Sequence, residues 1–291
     1  MDLYKQYAIS AMLAKFAYSN ADTFGDLWFK MRDSKRDIIS NVFKGVQEVP
    51  IYYNDQTTGV YGFSILKDRT LYFSFRGINE SQDSIVKLDR KMVPFFEGLK
   101  QSHIKVHQGF MKQFEALKGA VVKTVEKYLD RIDRIQFVGH SLGGALATLF
   151  AGYIGRFHRG YMDRYHRDID IICHTFGAPR VGNREYAKWF QDSVKIHARI
   201  TNPNDPVAQM PCSAYFQHVS DTKCIMDDLK IKDIPDGPWY TRLLNLSCCA
   251  PSVSHTCDQY IERLMKLYVE TKGTEKKALV IKVVEEPAVV E

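Results

Sequence analysis

Ile135 to Val138 is a short run of β-branched and aromatic residues, and Leu142 to Gly155 is a long uncharged stretch rich in Gly and Ala. Between them lies Gly139-His140-Ser141-Leu142-Gly143-Gly144. This Gly-x-Ser-x-Gly arrangement leaves the backbone few options. The strand must turn sharply into the helix with Ser141 held in a strained conformation, and glycine at 139 and 143 lets neighbouring backbone pass close. His140 and Leu142 fill the variable positions of the turn. The apolar run after it falls short of the roughly 18 to 20 residues that a membrane span needs and reads as a buried helix.

The rest of the chain supplies a setting for such a turn. Ile9, Met12, Leu13 and Phe16 recur at helical spacing in the first seventeen residues. Val60 to Leu66 and Leu71 to Phe75, separated by Lys67-Asp68-Arg69-Thr70, read as a hairpin whose second strand ends at Arg76-Gly77. Phe114, Leu117, Val121, Val125 and Tyr128 predict an amphipathic helix from Phe110 to about Leu129. Ile169 to Phe176 and Val194 to Thr201 read as strands, and Gln259 to Val269 as a closing helix. Strands alternating with helices imply an α/β fold, with a mostly parallel central sheet covered on both faces. Residues 1–270 are expected to form one domain with an irregular insertion at about 221–250. The tail 271–291 reads as an added strand or as disordered chain. With 45% hydrophobic and 25% charged residues in 291, global disorder, collagen and coiled coil are excluded. A formal net charge of +6 gives no support to a nucleic-acid partner. The six cysteines lack the spacing of a zinc site, since Cys248 and Cys249 are adjacent, so no metal is expected. The N-terminus shows no secretory signal, and an intracellular, cytoplasmic location is the expectation.

A serine hydroxyl is a weak nucleophile near neutral pH. A base must take its proton, and an acid must hold that base in the right tautomer. Where the nucleophile sits on a strand-to-helix turn of this kind, the chain order is serine, acid, histidine, so only residues after Ser141 qualify. Asp205, in the turn Thr201-Asn202-Pro203-Asn204-Asp205-Pro206 just past a strand, is the preferred acid, with Asp192 and Asp221 as rivals. Among the histidines, His174 and His197 lie inside strands, and His158 and His166 lie in a basic segment. His218 is expected on a strand, while His255 opens the last helix from a loop, which makes it the preferred base. A developing oxyanion needs two backbone N–H donors. Leu142 follows the nucleophile and supplies one, and Ile78, in the loop after Phe75-Arg76-Gly77, is the candidate for the other.

With these residues in place, the chain resembles the class 3 lipase family, the fungal-lipase-like branch of the α/β-hydrolase superfamily. Five ordered motifs carry the resemblance, over about Ala8 to Tyr268: Phe75-Arg76-Gly77-Ile78; Val106-His107-Gln108-Gly109-Phe110; the elbow Gly139 to Ala147; Thr175 to Asn183; and Asn204-Asp205-Pro206-Val207 with His255. The resemblance implies an α/β-hydrolase fold and a Ser141, Asp205, His255 triad without a cofactor. Acyl esters of acylglycerols or phospholipids are the implied substrates. The family usually carries a hydroxyl residue where Ile78 stands, which would remove one side-chain donor to the oxyanion. A catalytically weak or inactive lipid-binding protein is therefore the alternative, and a peptidase or thioesterase a third reading.

In such lipases a lid follows the Phe-Arg-Gly loop. Ile85, Leu88, Met92, Phe95, Phe96 and Leu99 line one side of a helical reading of that region. It is expected either as a mobile amphipathic cover or as a helix packed on the core and kinked at Pro94. The basic run Arg156 to Arg167 suggests peripheral contact with a membrane or lipid-droplet surface, or else a solvated loop.

Overall fold

In the computed structural model, which describes residues 3–19, 45–77, 91–96, 102–157, 168–203, 205–211, 214–235 and 252–271, the alternation of apolar runs becomes a twisted sheet with helices on both faces. In chain order the helices are α1 (Leu3–Phe16), α2 (Gln108–Tyr128), α3 (Leu142–Phe157), α4 (Arg184–Ser193) and α5 (Cys257–Thr271). The strands are β1 (Ile51–Asp55), β2 (Val60–Lys67), β3 (Thr70–Phe75), β4 (Met92–Pro94), β5 (Lys105–His107), β6 (Arg134–His140), β7 (Asp170–Phe176), β8 (Ile196–Thr201), β9 (Thr222–Ile225) and β10 (Ile231–Ile234). Among the described residues the main sheet runs β1-β2-β3-β6-β7-β8-β9-β10. It is parallel from β3 through β9 and antiparallel at both edges.

The period of two along each strand divides the core. Phe73, Phe137 and Cys173 face one side, where they pack with Phe114, Val121 and Phe150 of α2 and α3. Phe63, Val138, Phe176 and Ile200 face the other, where they pack with Leu13 of α1 and with Tyr260 and Leu264 of α5. α1 is docked on that second face by polar groups as well. Ser74 Oγ donates to the Leu13 carbonyl at 2.8 Å, and Ser10, Gln136 and His174 form a buried hydrogen-bonded cluster. The β2–β3 hairpin turns through Asp68 and Arg69, both with positive φ (46° and 60°), the geometry that matches the twist of the paired strands.

Several expectations are corrected. The helix read across 85–99 is not formed at 92–96. Met92–Pro94 is instead a strand paired antiparallel with Lys105–His107, a position that accommodates Pro94, which would interrupt a helix. Phe95 is buried against Phe114, Tyr186 and Trp189. Ile85, Leu88 and Leu99 lie outside the described residues. The insertion expected at 221–250 is not irregular throughout, because β9 and β10 extend the sheet as a hairpin; residues 236–251 lie outside the described part, as do the tail beyond 271 and His158 to Arg167 of the basic run. β1 and α4 are further elements that the sequence reading does not contain. Among the described residues, no helix is long and apolar enough to cross a membrane.

Candidate active site

The elbow is built by close backbone approach. A Cβ on Gly139 would stand 2.1 Å from the Gly143 carbonyl oxygen, and one on Gly143 would stand 2.0 Å from that of Phe75. Only glycine therefore lets α3 start directly against the ends of β6 and β3. Ser141 adopts a φ of 57°, the left-handed region that costs a non-glycine residue of order 1–3 kcal/mol. Its N–H donates to the Phe176 carbonyl on β7 at 2.9 Å, which fixes the turn across the sheet.

Three side chains distant in sequence meet there. Ser141 Oγ lies 2.9 Å from His255 Nε2, and His255 Nδ1 lies 2.9 Å from each carboxylate oxygen of Asp205. The Asp205 carboxylate can only accept, so Nδ1 carries the imidazole proton and the Nε2 lone pair faces the hydroxyl. That is the tautomer a general base requires. Asp205 is completely buried and is held by three further contacts. Its Oδ1 accepts from the Val207 and Ala208 N–H groups at 2.9 and 3.3 Å. Its Oδ2 accepts from the Tyr260 hydroxyl at 2.6 Å, which in turn accepts from the Asn202 N–H at 2.9 Å. Burial and the neighbouring carboxylate push the Tyr260 phenol well above its ordinary pKa, so it remains a donor. Asn202 Nδ2 donates to the Ser254 carbonyl at 2.9 Å, tying the acid turn to the loop that carries the base.

The motifs outside the triad brace this centre. Arg180 donates from its guanidinium to the carbonyls of Gln209 and Pro211, just past the acid turn. Asn183 caps α4 by accepting from the Tyr186 N–H at 3.0 Å, and its Nδ2 donates to the His103 carbonyl at 2.7 Å. The His107 N–H donates to the Val181 carbonyl at 2.9 Å. Val106 to Phe110 and Thr175 to Asn183 are thus two sides of one structural joint.

Of the remaining candidates, Leu142 is the first residue of α3, where an N–H has no carbonyl within the helix to bond. Ile78 lies outside the described residues; its predecessor Gly77 is the last described residue after β3. The rivals are placed elsewhere. Asp192 and Asp221 are exposed. His218 is not on a strand and donates its Nε2–H to the Ala208 carbonyl at 2.9 Å. His174 belongs to the buried cluster under α1, where burial pulls its pKa down to about 4, and His197 packs edge-on against Phe190. Among the described residues, no three His, Cys, Asp or Glu side chains gather as a metal site. Tyr260 and Asn202 carry no motif signal, because a tyrosine at helical spacing in α5 is indistinguishable from core until the acid is seen beneath it.

The comparisons with known proteins agree on the fold and the family. The family model described as Lipase (class 3) matches residues 72–215. A secreted mono- and diacylglycerol lipase of Fusarium solani is 31% identical over 118 residues, covering 40% of this chain and 32% of the relative. A lipase of Rhizomucor miehei is 28% identical over 164 residues, covering 55% and 43%. A chloroplastic phospholipase A1 of Arabidopsis thaliana is 28% identical over 161 residues, covering 49% and 33%. The chain therefore spans between 32% and 43% of the length of these relatives. Among solved structures, a triacylglycerol lipase described as having a serine protease triad at its catalytic centre superposes with a TM-score of 0.67 at 20% identity, covering 86% of this chain and 91% of that one. Lipase II of Rhizopus niveus does so with a TM-score of 0.65 at 18% identity, covering 87% and 92%. At these identities the likeness shows the α/β-hydrolase fold.

Proposed function

Through residues 72–215 the chain belongs to the class 3 lipase family, and on that premise we propose that it is a serine carboxylic-ester hydrolase acting on acyl esters of acylglycerols or phospholipids. The observation that carries the reading is the continuous path from Ser141 Oγ through both nitrogens of His255 to the buried Asp205, each step 2.9 Å. His255 Nε2 takes the hydroxyl proton as Oγ attacks the acyl carbonyl carbon. The oxyanion draws on the Leu142 N–H and, by the family pattern, on that of Ile78. When the tetrahedral intermediate collapses, the C–O bond to the alcohol breaks and His255 returns its proton to the departing oxygen. Water, deprotonated by the same imidazole, then releases the fatty acid from Ser141. Labelling with a fluorophosphonate, compared between wild type and Ser141→Ala, tests the chemistry. A lipid-panel hydrolysis assay with the same control tests the substrate class, and absence of a Ser141-dependent adduct overturns the reading.

Ile78 favours a second reading, a lipase-like protein of weak or absent turnover. If that reading holds, Ser141 labels slowly and no lipid of the panel is hydrolysed above the Ser141→Ala control. The proposal extends to peripheral contact with a membrane or lipid-droplet surface, supported by the four arginines between Arg156 and Arg167. The measurement is cosedimentation with phosphatidylserine vesicles against phosphatidylcholine vesicles. Reversing Arg159, Arg164 and Arg167 to Glu is expected to remove the preference for anionic vesicles, and a wild type with equal binding to both overturns the contact.

A further inference from the structure

Tyr18 follows α1 by two residues, and its hydroxyl reaches into the back of the active centre. It lies 2.7 Å from His140 Nδ1, while His140 Nε2 lies 2.5 Å from the His255 carbonyl oxygen. A carbonyl can only accept, so Nε2 carries the His140 proton. Nδ1 then offers a lone pair to the Tyr18 O–H. Burial and the adjacent His255 ring pull His140 well below the usual histidine pKa, which keeps this neutral tautomer in place. The Gly77 main chain approaches the same phenolic oxygen closely. A Cβ on Gly77 would stand 2.1 Å from that oxygen and 2.9 Å from the His140 carbonyl, so the strand end can approach only as glycine.

One hydroxyl thereby touches the segments that carry the functional groups. Gly77 precedes the oxyanion loop, His140 precedes the nucleophile, and the His140 ring holds the main chain of the base. We propose that Tyr18 is a positioning residue for hydrolysis, acting through His140 to hold the His255 backbone, and with it the Nε2 lone pair, in register with Ser141 Oγ. The triad places no demand on Tyr18 or on the His140 ring, and neither touches the reacting atoms. Their effect comes through geometry, to which proton transfer is sensitive.

The inference rests on the hydrolase reading, and the experiment separates the two. Wild type, Tyr18→Phe, His140→Ala, His140→Gln and the double variant Tyr18→Phe/His140→Ala are compared by the rate of fluorophosphonate labelling at Ser141 and by kcat and KM on a p-nitrophenyl ester. Tyr18→Phe keeps the ring and loses only the hydroxyl. It is expected to lower the labelling rate and kcat about tenfold, with KM within about twofold. His140→Gln retains an N–H donor that can reach the His255 carbonyl, and it is expected to recover part of the rate lost in His140→Ala. The double variant is expected to be no slower than its slower single parent, because both changes break one chain of contacts. Multiplicative losses, or a Tyr18→Phe rate equal to wild type, overturn the proposal. A Tm drop in Tyr18→Phe with labelling unchanged once folded assigns the tyrosine to packing alone and overturns it equally. A wild type without Ser141 adduct overturns the hydrolase reading and the positioning role with it.

Discussion

Asp205, the candidate acid, shows how little of a side chain's behaviour belongs to the side chain itself. Its carboxylate is buried under two backbone N–H groups, a phenol and an imidazole, so it can orient His255 without swinging away. Asp205→Asn should preserve the packing yet favour the wrong tautomer of His255, and kcat is expected to fall by about 10⁴ in the hydrolysis assay. Tyr260→Phe deletes one donor to a buried charge. It is expected to cost about 1–3 kcal/mol in urea unfolding, with a smaller loss of kcat than Asp205→Asn. Ile78→Ser would restore the hydroxyl of the family pattern, and turnover is expected to rise about tenfold or more if the oxyanion is under-supported in the wild type. Ser141, Asp205 and His255 are legible in the sequence because each obeys a rule of order or turn chemistry. Tyr18 and Tyr260 are not, since a tyrosine announces no partner until the chain folds.

At the scale of elements, the seating of α1 on the sheet has a pH signature. His174 meets Ser10 and Gln136 beneath the helix, and burial lowers its pKa from 6.5 to about 4. Between those values the unfolded chain binds a proton that the native state refuses. Stability is therefore full above about pH 6.5 and falls as pH drops toward 4, by about 3 kcal/mol from this group. Urea unfolding at pH 7 and pH 4.5 measures the difference, and His174→Gln is expected to flatten it while the other buried histidines keep the residual slope. The strands and helices read from the sequence appear where period and turn residues agree, as in the β2–β3 hairpin and α2. Met92–Pro94 departs from the helical spacing of 85–99 because Pro94 interrupts a helix there, and pairing with β5 makes it a strand. The β9–β10 hairpin leaves little trace in the sequence because β9, though mostly buried, is only four residues long, and β10 lies at the exposed sheet edge, where alternation carries no hydrophobic imprint.

For the molecule as a whole, burial sets the terms of access. Ser141 is 2% exposed and His255 8%, so the candidate nucleophile offers a bulky ester little open surface in this conformation. Labelling of Ser141 by a bulky, long-chain phosphonate is expected to be slow in buffer and severalfold faster with lipid vesicles, whereas a small fluorophosphonate should show a weaker dependence; equal rates with and without vesicles would place the barrier elsewhere. The packing of α1 against α5 on one sheet face bears on when the chemistry begins. The nucleophile and acid come from the middle of the polypeptide, but the imidazole and its phenolic supports come from the flanking helical segments. On the proposed hydrolase reading, Ser141 is an ordinary alcohol until α5, which follows His255, has packed beside α1 on the sheet. Competence for the proposed hydrolysis therefore waits until α1 and α5 have closed together on the sheet.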